Sequence, residues 1–198
     1  MLALLFSFSG ITLADDAKQS APIPAQLAKM SPENRQMIMS WTPELRQKFL
    51  ALSPELRATI SKVHAGHTRH GKELTLRQVM QEILSEYQSI AAAVATDNAE
   101  QAADSARRLA NHRIPVGGLL PYFPLDKINN DALSVLPGMN DAVEGSALRL
   151  AEAAERGNMA KAAVHLGDIA SGCVACHQMF RGRPGVSAQL LPTARSKH

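Results

Sequence analysis

The stretch Cys173-Val174-Ala175-Cys176-His177 is the most informative part of this sequence. It has the form C-x-x-C-H, in which two thiols hold a c-type haem covalently and the next histidine ligates the iron. The chain has two cysteines, and both lie here. A structural zinc site would need further ligands, and a thioredoxin-like thiol pair belongs beside a βαβ pattern, which is missing here. The sequence therefore predicts one covalently attached haem c, with His177 as the proximal ligand.

The residues of the motif would share one face of a helix. Side chains three and four positions apart lie on the same side of an α-helix, so Cys173, Cys176 and His177 would project together. Gly157 followed by Asn158 predicts the start of this helix, and glycine and proline from residue 182 onward predict its end. The same face carries the apolar residues Ala162, Leu166, Ile169 and Phe180.

Composition and charge favour an all-α protein without a nucleic-acid partner. Aromatic residues make up 4% of the 198 residues, alanine is abundant and strand-forming runs are scarce. This composition is typical of helices packed closely through small side chains. The formal net charge of +3 comes without a dense basic block. We therefore infer neither nucleic-acid binding nor an electrostatic membrane anchor.

Residues 1–14 are predicted to be a signal peptide. This apolar run is too short to span a bilayer as a helix, and Thr12 and Ala14 place small residues at a cleavage position. A positively charged segment before it is missing, which is consistent with a start codon further upstream, and an uncleaved anchor is the alternative. Covalent haem attachment in bacteria takes place outside the inner membrane. The leader and the haem motif together predict an exported, periplasmic protein.

Residues 15–73 are predicted to form a linker followed by three short helices. A pattern of hydroxyl residue, proline and glutamate recurs every 11 residues, beginning at Ser31, Thr42 and Ser53. Each unit places an N-cap, a proline at the first helical position and an acid in the first turn. The repeated apolar positions are Ile38, Phe49, Ile60, Trp41, Leu52 and Val63. These faces would form either a docking platform for a redox partner or second subunit, or a cap packed on the main domain, which we favour.

Three histidines follow, at His64, His67 and His70. Their spacing of three would place neighbouring imidazoles near one face of a helix, as in a metal site. However, Gly66 and Gly71 weaken a helix there, and no carboxylate or cysteine is interleaved. We therefore expect a solvated polar hinge, with a metal-binding or second haem-related role as the alternative.

Four longer helices are predicted after the hinge. The first begins at Thr75, and its inward stripe contains Leu76, Met80, Ile83, Tyr87, Ile90 and Val94. Asp97 and Glu100 resemble a capping box for a second helix that runs to about Arg113 with an alanine-rich face. An apolar crossing loop over residues 114–124 leads to a third helix, from near Pro137 to Arg156. The fourth carries the C-x-x-C-H motif.

The end of the fourth helix resembles class II cytochromes c, the cytochrome c-prime family. The run from Cys173 through His177 to Phe180 and Arg181 is similar to the family ending C-x-x-C-H-x-x-Tyr/Phe-Arg, and the resemblance covers roughly residues 74–183. It implies an antiparallel four-helix bundle with haem between the first and last helices. Arg181 would lie near the haem and its proximal histidine, and Arg77 would offer charge to a propionate unless it is simply solvated. Residues 184–198 would be a flexible tail.

The same resemblance implies two states for the sixth coordination position of the iron. Low-spin members use a methionine on the first helix, whereas high-spin members place an apolar residue there and bind nitric oxide or carbon monoxide. Met80, three residues after Arg77, matches the low-spin arrangement, although methionine often only fills a core. His112 and Met139 are weaker candidates. His165 is excluded because it lies ~18 Å from His177 along the same helix at 1.5 Å per residue.

These expectations favour a monohaem electron carrier rather than an enzyme. The protein would transfer single electrons between redox partner proteins, with haem c as its one cofactor, and no catalytic acid, base or nucleophile is required. A five-coordinate haem protein that binds nitric oxide or carbon monoxide is one alternative. A haem-free helical interaction protein built on the N-terminal repeats is another. Dimers are common among the resembling proteins, but the sequence does not identify a dimer surface.

Overall fold

The computed structural model describes residues 25–28, 30–115, 117–181 and 187–191. Within these residues the chain is mostly helical and its long helices pack on one another, so the predicted all-α class is confirmed. The predicted signal peptide and most of the linker that follows it lie outside the described residues. None of the helices in the described ranges has both the length and the hydropathy needed to cross a membrane.

The N-terminal repeats form three short helices, as predicted. After a first turn, α1 (Ala25–Ala28), they are α2 (Pro32–Met39), α3 (Pro43–Ala51) and α4 (Pro54–Lys62). In each repeat the hydroxyl oxygen of Ser31, Thr42 or Ser53 accepts a hydrogen bond from the backbone N–H three residues later. Proline at the next position loses nothing there, since that N–H has no partner inside the helix. Local chemistry alone therefore accounts for these helix starts.

The long helices are α5 (Leu76–Ala95), α6 (Ala99–Ala110) and α10 (Met159–Phe180). A short helix α7 (Asn130–Leu133) precedes α8 (Leu136–Asn140), and α8 continues through a π-helical turn, Asp141–Gly145, into α9 (Ser146–Glu155). The predicted third helix is thus one continuous segment with an unpredicted π turn. Helix α6 packs against α5 and α9, and α9 packs against α10.

The predicted capping box of α6 is wrong in register. Asp97 has a φ of 57°, which reverses the chain after α5. The next residue, Asn98, is the N-cap, and its side-chain oxygen accepts from the N–H of Gln101 at 3.1 Å. Helix α6 also ends at Ala110 rather than at Arg113. The three residues after it lead into a strand, so they are unavailable to the helix.

Two hydrophobic cores meet along α10. The first is alanine-rich and lies among α5, α6, α9 and α10, where Ala106, Leu150 and Ile169 are fully buried. The second joins α2 and α3 to the loop after α6 and to Phe180 at the end of α10. Ile38, Trp41 and Phe49, predicted as the buried faces of the repeats, lie in this second core. The N-terminal helices therefore form a cap that packs on the loop after α6, on α7 and α8, and on the end of α10.

The segment after α6 is irregular and packs on the helices, as predicted. It begins with strand β2 (Ile114–Pro115), which pairs in parallel with strand β1 (His70–Gly71), and contains the 3-10 turns Leu120–Tyr122 and Leu125–Lys127. Leu120 and Tyr122 are buried. The two-residue strands were not predicted, because so short a pairing leaves no alternating pattern.

Part of the predicted flexible tail is held on the cap. The backbone N–H of Thr42 donates to the carbonyl of Gln189 at 2.8 Å, and the N–H of Leu191 donates to the carbonyl of Ser40 at 2.8 Å. Leu190 also packs against the second core. Residues 187–191 thus differ from the expectation of a free tail, since they pair with backbone groups at the end of α2. Residues 182–186 and 192–198 lie outside the described residues.

Candidate functional site

One large cavity lies among the N-terminal cap, α5, the loop after α6 and the end of α10. Its volume is about 1510 Å³ and its walls are mainly apolar. Typical small-molecule pockets enclose roughly 300–1,000 Å³, so this cavity accommodates a larger group. The six residues predicted to bind the cofactor all line it: Arg77, Met80, Cys173, Cys176, His177 and Arg181.

The C-x-x-C-H motif lies where the two cores meet. Cys173 packs against the first core and Cys176 against the second, and both side chains are half-buried. His177 is exposed at the cavity wall. Beyond it, the ring of Phe180 stacks on Phe123 with centroids 4.6 Å apart. This buried stack anchors the end of α10 and thereby orients the turn that carries the motif.

The pKa of each thiol is raised, which disfavours the reactive, ionised form. Burial raises the pKa of Cys173, and burial together with the nearby Cys173 charge raises the pKa of Cys176. Redox-active or nucleophilic cysteines instead need a lowered pKa, usually from a neighbouring cation or a helix N-terminus. Neither thiol therefore has the lowered pKa typical of such cysteines.

The cavity wall also carries the other predicted site residues. Met80 is half-buried and Arg77 is exposed, both on the first turns of α5, and Arg181 is exposed just after α10. Met139 also lines the cavity but packs against the second core. Ligation by Met80 and the roles of the two arginines remain predictions from the sequence.

The donor set fits a haem c. Two thiols and an imidazole stand at the spacing that covalent attachment requires, and they face an apolar cavity that also offers a thioether and two guanidinium groups. A structural zinc site would instead bring its ligands together in a small closed shell. The residues present are therefore compatible with the predicted cofactor.

The predicted solvated hinge around His64, His67 and His70 is wrong. His67 is only 8% exposed, and its ring contacts those of His64 and His112 with centroids 4.9 and 4.8 Å apart. His70 stays exposed, and its Nε2 lies 3.1 Å from the carbonyl oxygen of His67. The expectation failed because His64 and His67 contact His112, just after α6, and Glu144 in the π turn, which are dozens of residues away in sequence.

The imidazoles of His64, His67 and His112 all lie close to the carboxylate of Glu144 in the π turn. The Nε2 atoms of His64, His67 and His112 lie 3.3, 3.4 and 3.2 Å from its Oε1 atom. We refer to these four residues as the His-Glu cluster. All four also line the large cavity. Burial raises the pKa of Glu144, but the contacts with the three imidazoles outweigh burial and hold that pKa well below its usual value.

A pairing of two chain segments brings the histidines together. Besides the β1–β2 pair, the N–H of Thr68 donates to the Oδ1 of Asn111 at 3.0 Å, and the Nδ2 of Asn111 donates to the Oγ1 of Thr68 at 2.9 Å. His67 and His112 are the residues next to this pair. The contact joins positions more than 40 residues apart.

Glu82 on α5 ties the same two segments together. Its carboxylate lies 2.7 Å from the Nη1 of Arg69 and 2.6 Å from the Nε of Arg113. Burial raises the pKa of Glu82, but the hydrogen bond and charge of Arg113, together with Arg69, lower it overall. The two arginines are near neighbours of His67 and His112, so this ion pair supports the placement of both imidazoles.

Sequence reasoning missed Glu144 and the grouping of His112 with the other histidines. Glu144 lies within an otherwise ordinary helical pattern and has no histidine at a ligand-like spacing. The π turn that carries it has no reliable sequence signal, although such turns occur frequently at functional sites. Comparison of the chain with protein-family models, curated protein sequences and solved structures finds no match.

Proposed function

We propose that this chain is a c-type cytochrome that transfers single electrons. The observation that carries the proposal is that Cys173, Cys176 and His177, in C-x-x-C-H spacing, line one apolar cavity large enough for a porphyrin. In this proposal α5, α6, the α8–α9 segment and α10 act as an antiparallel four-helix bundle of the class II cytochrome c type. The cap formed by α2 to α4 closes one side of the haem cavity.

Each residue has a distinct part in the proposed site. The thiols of Cys173 and Cys176 would hold the cofactor covalently, which would prevent its loss from an exported protein, and the imidazole of His177 would bind the iron. The thioether of Met80 would be the second protein ligand of the iron. When bound, haem c supplies a one-electron iron couple.

The surroundings tune and protect this couple. The apolar walls exclude water, and burial of a redox centre is one of the levers that set its potential. Arg77 and Arg181 line the cavity and carry the positive charge that would offset the propionate carboxylates. His177 and Met80 would both hold the iron, and electron transfer would need no open coordination site. Redox partner proteins would supply and accept the electron.

The test is to mature the full chain in a bacterial periplasm and measure its haem content. We expect one haem per chain that resists acid–acetone extraction and gives a c-type pyridine haemochrome spectrum. The Cys173→Ala/Cys176→Ala variant should lose covalent haem, whereas His165→Ala, an imidazole remote from the cavity, should retain it. Folded wild-type protein without haem would contradict the proposal and favour a helical interaction protein.

The axial ligand is tested on the same material. Wild-type ferrous protein should bind carbon monoxide slowly or not at all, and Met80→Ala should open the sixth position, change the spin state and bind it rapidly. Rapid stoichiometric binding by the wild type, or an unchanged spectrum in Met80→Ala, would refute ligation by Met80. The first of these results would favour a gas-binding protein.

A further inference from the structure

We infer that the His-Glu cluster is a binding site for a divalent first-row transition-metal ion, separate from the haem iron. The ligands are the imidazoles of His64, His67 and His112 and the carboxylate of Glu144. This inference goes beyond the proposed electron transfer and does not depend on haem attachment.

The spacing of the ligand atoms matches a metal coordination shell. Zinc–nitrogen and zinc–oxygen bonds of about 2.0–2.2 Å in a tetrahedron separate neighbouring ligand atoms by about 3.4 Å. The three nitrogen–oxygen distances in the cluster are 3.2, 3.3 and 3.4 Å. The ligand atoms of His64, His112 and Glu144 all lie within 4.8 Å of one another. His67 is not part of this group of three, so its imidazole would have to move toward the other two nitrogens to complete the shell.

The two contacts of the His112 ring indicate a positive charge on the ring or beside it. Its Nδ1 lies 3.0 Å from the carbonyl oxygen of Arg113, which can only accept, so Nδ1 carries a proton. In a neutral imidazole Nε2 then presents a lone pair, and it faces Oε1 of Glu144, another acceptor, at 3.2 Å. Either His112 is charged or a cation lies between these two atoms.

Protonation alone does not satisfy the whole cluster. Three imidazolium ions around one carboxylate would place a net positive charge in a largely buried site, which is unfavourable, and a single proton on His112 would balance Glu144 but leave the Nε2 of His67 without a hydrogen bond. His67 gives a second, independent indication, because its side chain is only 4% exposed and its Nε2 has no hydrogen-bond partner among the described residues. That atom lies 3.4 Å from Oε1 of Glu144 without the geometry of a hydrogen bond. One metal ion would satisfy all of these groups together.

The surroundings resemble the outer shell of a metal centre. A metal-bound histidine usually donates its other ring N–H to a carbonyl, as His112 does to Arg113. Ligating carboxylates are in turn hydrogen-bonded, and the Nδ2 of Asn140 donates to the Oε2 of Glu144 at 3.1 Å.

The backbone is also unusual at two of the four ligands. Glu144 lies in the π turn, and His64 has a φ of 67°, an uncommon conformation for a residue other than glycine. Such conformations persist where the surrounding structure imposes them, often at functional sites.

The donor set narrows the choice of ion. Imidazole nitrogens suit zinc, copper, iron and nickel, whereas calcium and magnesium take oxygen ligands. Three nitrogens and one carboxylate oxygen are therefore a set for zinc(II) or ferrous iron rather than for an alkaline-earth ion. Zinc(II) is a practical probe, because its X-ray absorption edge is distinct from that of haem iron.

The experiment uses the full mature protein, treated with a chelator and then titrated with zinc(II) in a calorimeter. We expect one zinc ion per chain with nitrogen and oxygen neighbours at about 2.0–2.1 Å in the zinc X-ray absorption spectrum. Glu144→Gln, which keeps the shape of the side chain, should weaken zinc binding by on the order of 100-fold or more, since losing even an outer-shell partner costs about 10–100-fold.

Matched variants keep the test decisive. His64→Asn should weaken zinc binding similarly while keeping the backbone, since asparagine tolerates a positive φ. His165→Ala, whose imidazole pairs with Asp168 outside the cluster, should bind zinc as the wild type does. Equal affinity in all four proteins, or a zinc–sulfur distance of about 2.3 Å that assigns the ion to the cysteines, would overturn the inference. So would a His64→Asn variant that binds zinc normally but changes the axial spectrum of the haem.

Discussion

At the scale of single residues, the role of a buried carboxylate depends on the side chains that surround it. Glu82 and Glu144 are both partly buried carboxylates on helical segments, yet their partners differ. Glu82 meets two guanidinium groups, which are permanently charged, and the result is a structural ion pair. Glu144 meets three imidazoles, which in their neutral form present a nitrogen lone pair that can bind a metal ion. The two carboxylates therefore have different expected roles.

The Glu82 ion pair makes a testable contribution to stability. Removing one partner of a fully buried pair costs about 3–5 kcal/mol, whereas exposed pairs contribute about 0–1 kcal/mol. Glu82 is 11% exposed, but Arg69 and Arg113 are 42% and 44% exposed, so the cost lies between these limits. We expect Glu82→Gln to lower the free energy of unfolding by about 1–2 kcal/mol at neutral pH.

Urea denaturation followed by circular dichroism measures this loss. The matched control is Glu155→Gln, which breaks the exposed pair with Arg107 and should cost less than about 0.5 kcal/mol. If the two substitutions have equal effects, Glu82 does not hold the paired segments together.

At the scale of elements, α10 and the π turn approach each other closely at Gly172. A Cβ atom on Gly172 would lie 2.8 Å from the Cγ2 of Val143 and 3.0 Å from the Cβ of Ala142. Gly172 is buried, so the two segments approach as closely as they do because it has no side chain. This contact sets the position of the π turn against the helix that carries the haem motif.

Alanine at Gly172 should therefore destabilise the protein even though alanine favours helices. Overpacking costs about 1–3 kcal/mol, and the gain in helix propensity returns up to about 1 kcal/mol. We expect a net loss of about 1–2 kcal/mol in the free energy of unfolding. Gly167→Ala, on the same helix with nothing within 4 Å of the added Cβ, should instead stabilise the protein by about 0.5–1 kcal/mol. Thermal unfolding of the two variants measures these opposite changes. If both substitutions stabilise the protein, the contact at Gly172 is not tightly packed.

At the scale of the whole molecule, the two cores are joined by α10 and should unfold together. Cys173 packs against one core and Cys176 against the other, so the motif spans the junction. The cap contributes the buried ring of Phe49, which lies edge-on to Trp41 with centroids 5.3 Å apart. A cap that is part of the cooperative unit would influence the stability of the long helices.

Phe49→Ala tests that cooperativity. We expect it to lower the free energy of unfolding by about 3–5 kcal/mol. Fluorescence of Trp41, the chain's one tryptophan, and far-ultraviolet circular dichroism should report the same new midpoint. Val164→Ala, at a side chain 64% exposed on α10, should change the midpoint little with either probe. An early fluorescence transition with unchanged helix melting would mean that the cap unfolds independently.

Local signals account for most of what the sequence predicted correctly. The starts of α2, α3, α4 and α5 follow from a hydroxyl N-cap that acts within three residues, and the end of α9 and start of α10 follow from Gly157 and Asn158 in the same way. The haem motif is equally local, since one helical turn contains all of its donors. Errors of register, as at Asp97, arose where two neighbouring polar residues could each serve as the cap.

The sequence by itself thus determined the all-α class, the short capped helices and the predicted haem attachment at Cys173, Cys176 and His177. Only the tertiary structure brought His64, His67 and His112 to Glu144, introduced the π turn, and placed residues 187–191 on the cap. The physical reason is range. Helix caps and motif spacing act within a few residues, whereas the His-Glu cluster depends on packing between residues dozens of positions apart, and such contacts leave no periodic trace in a single sequence.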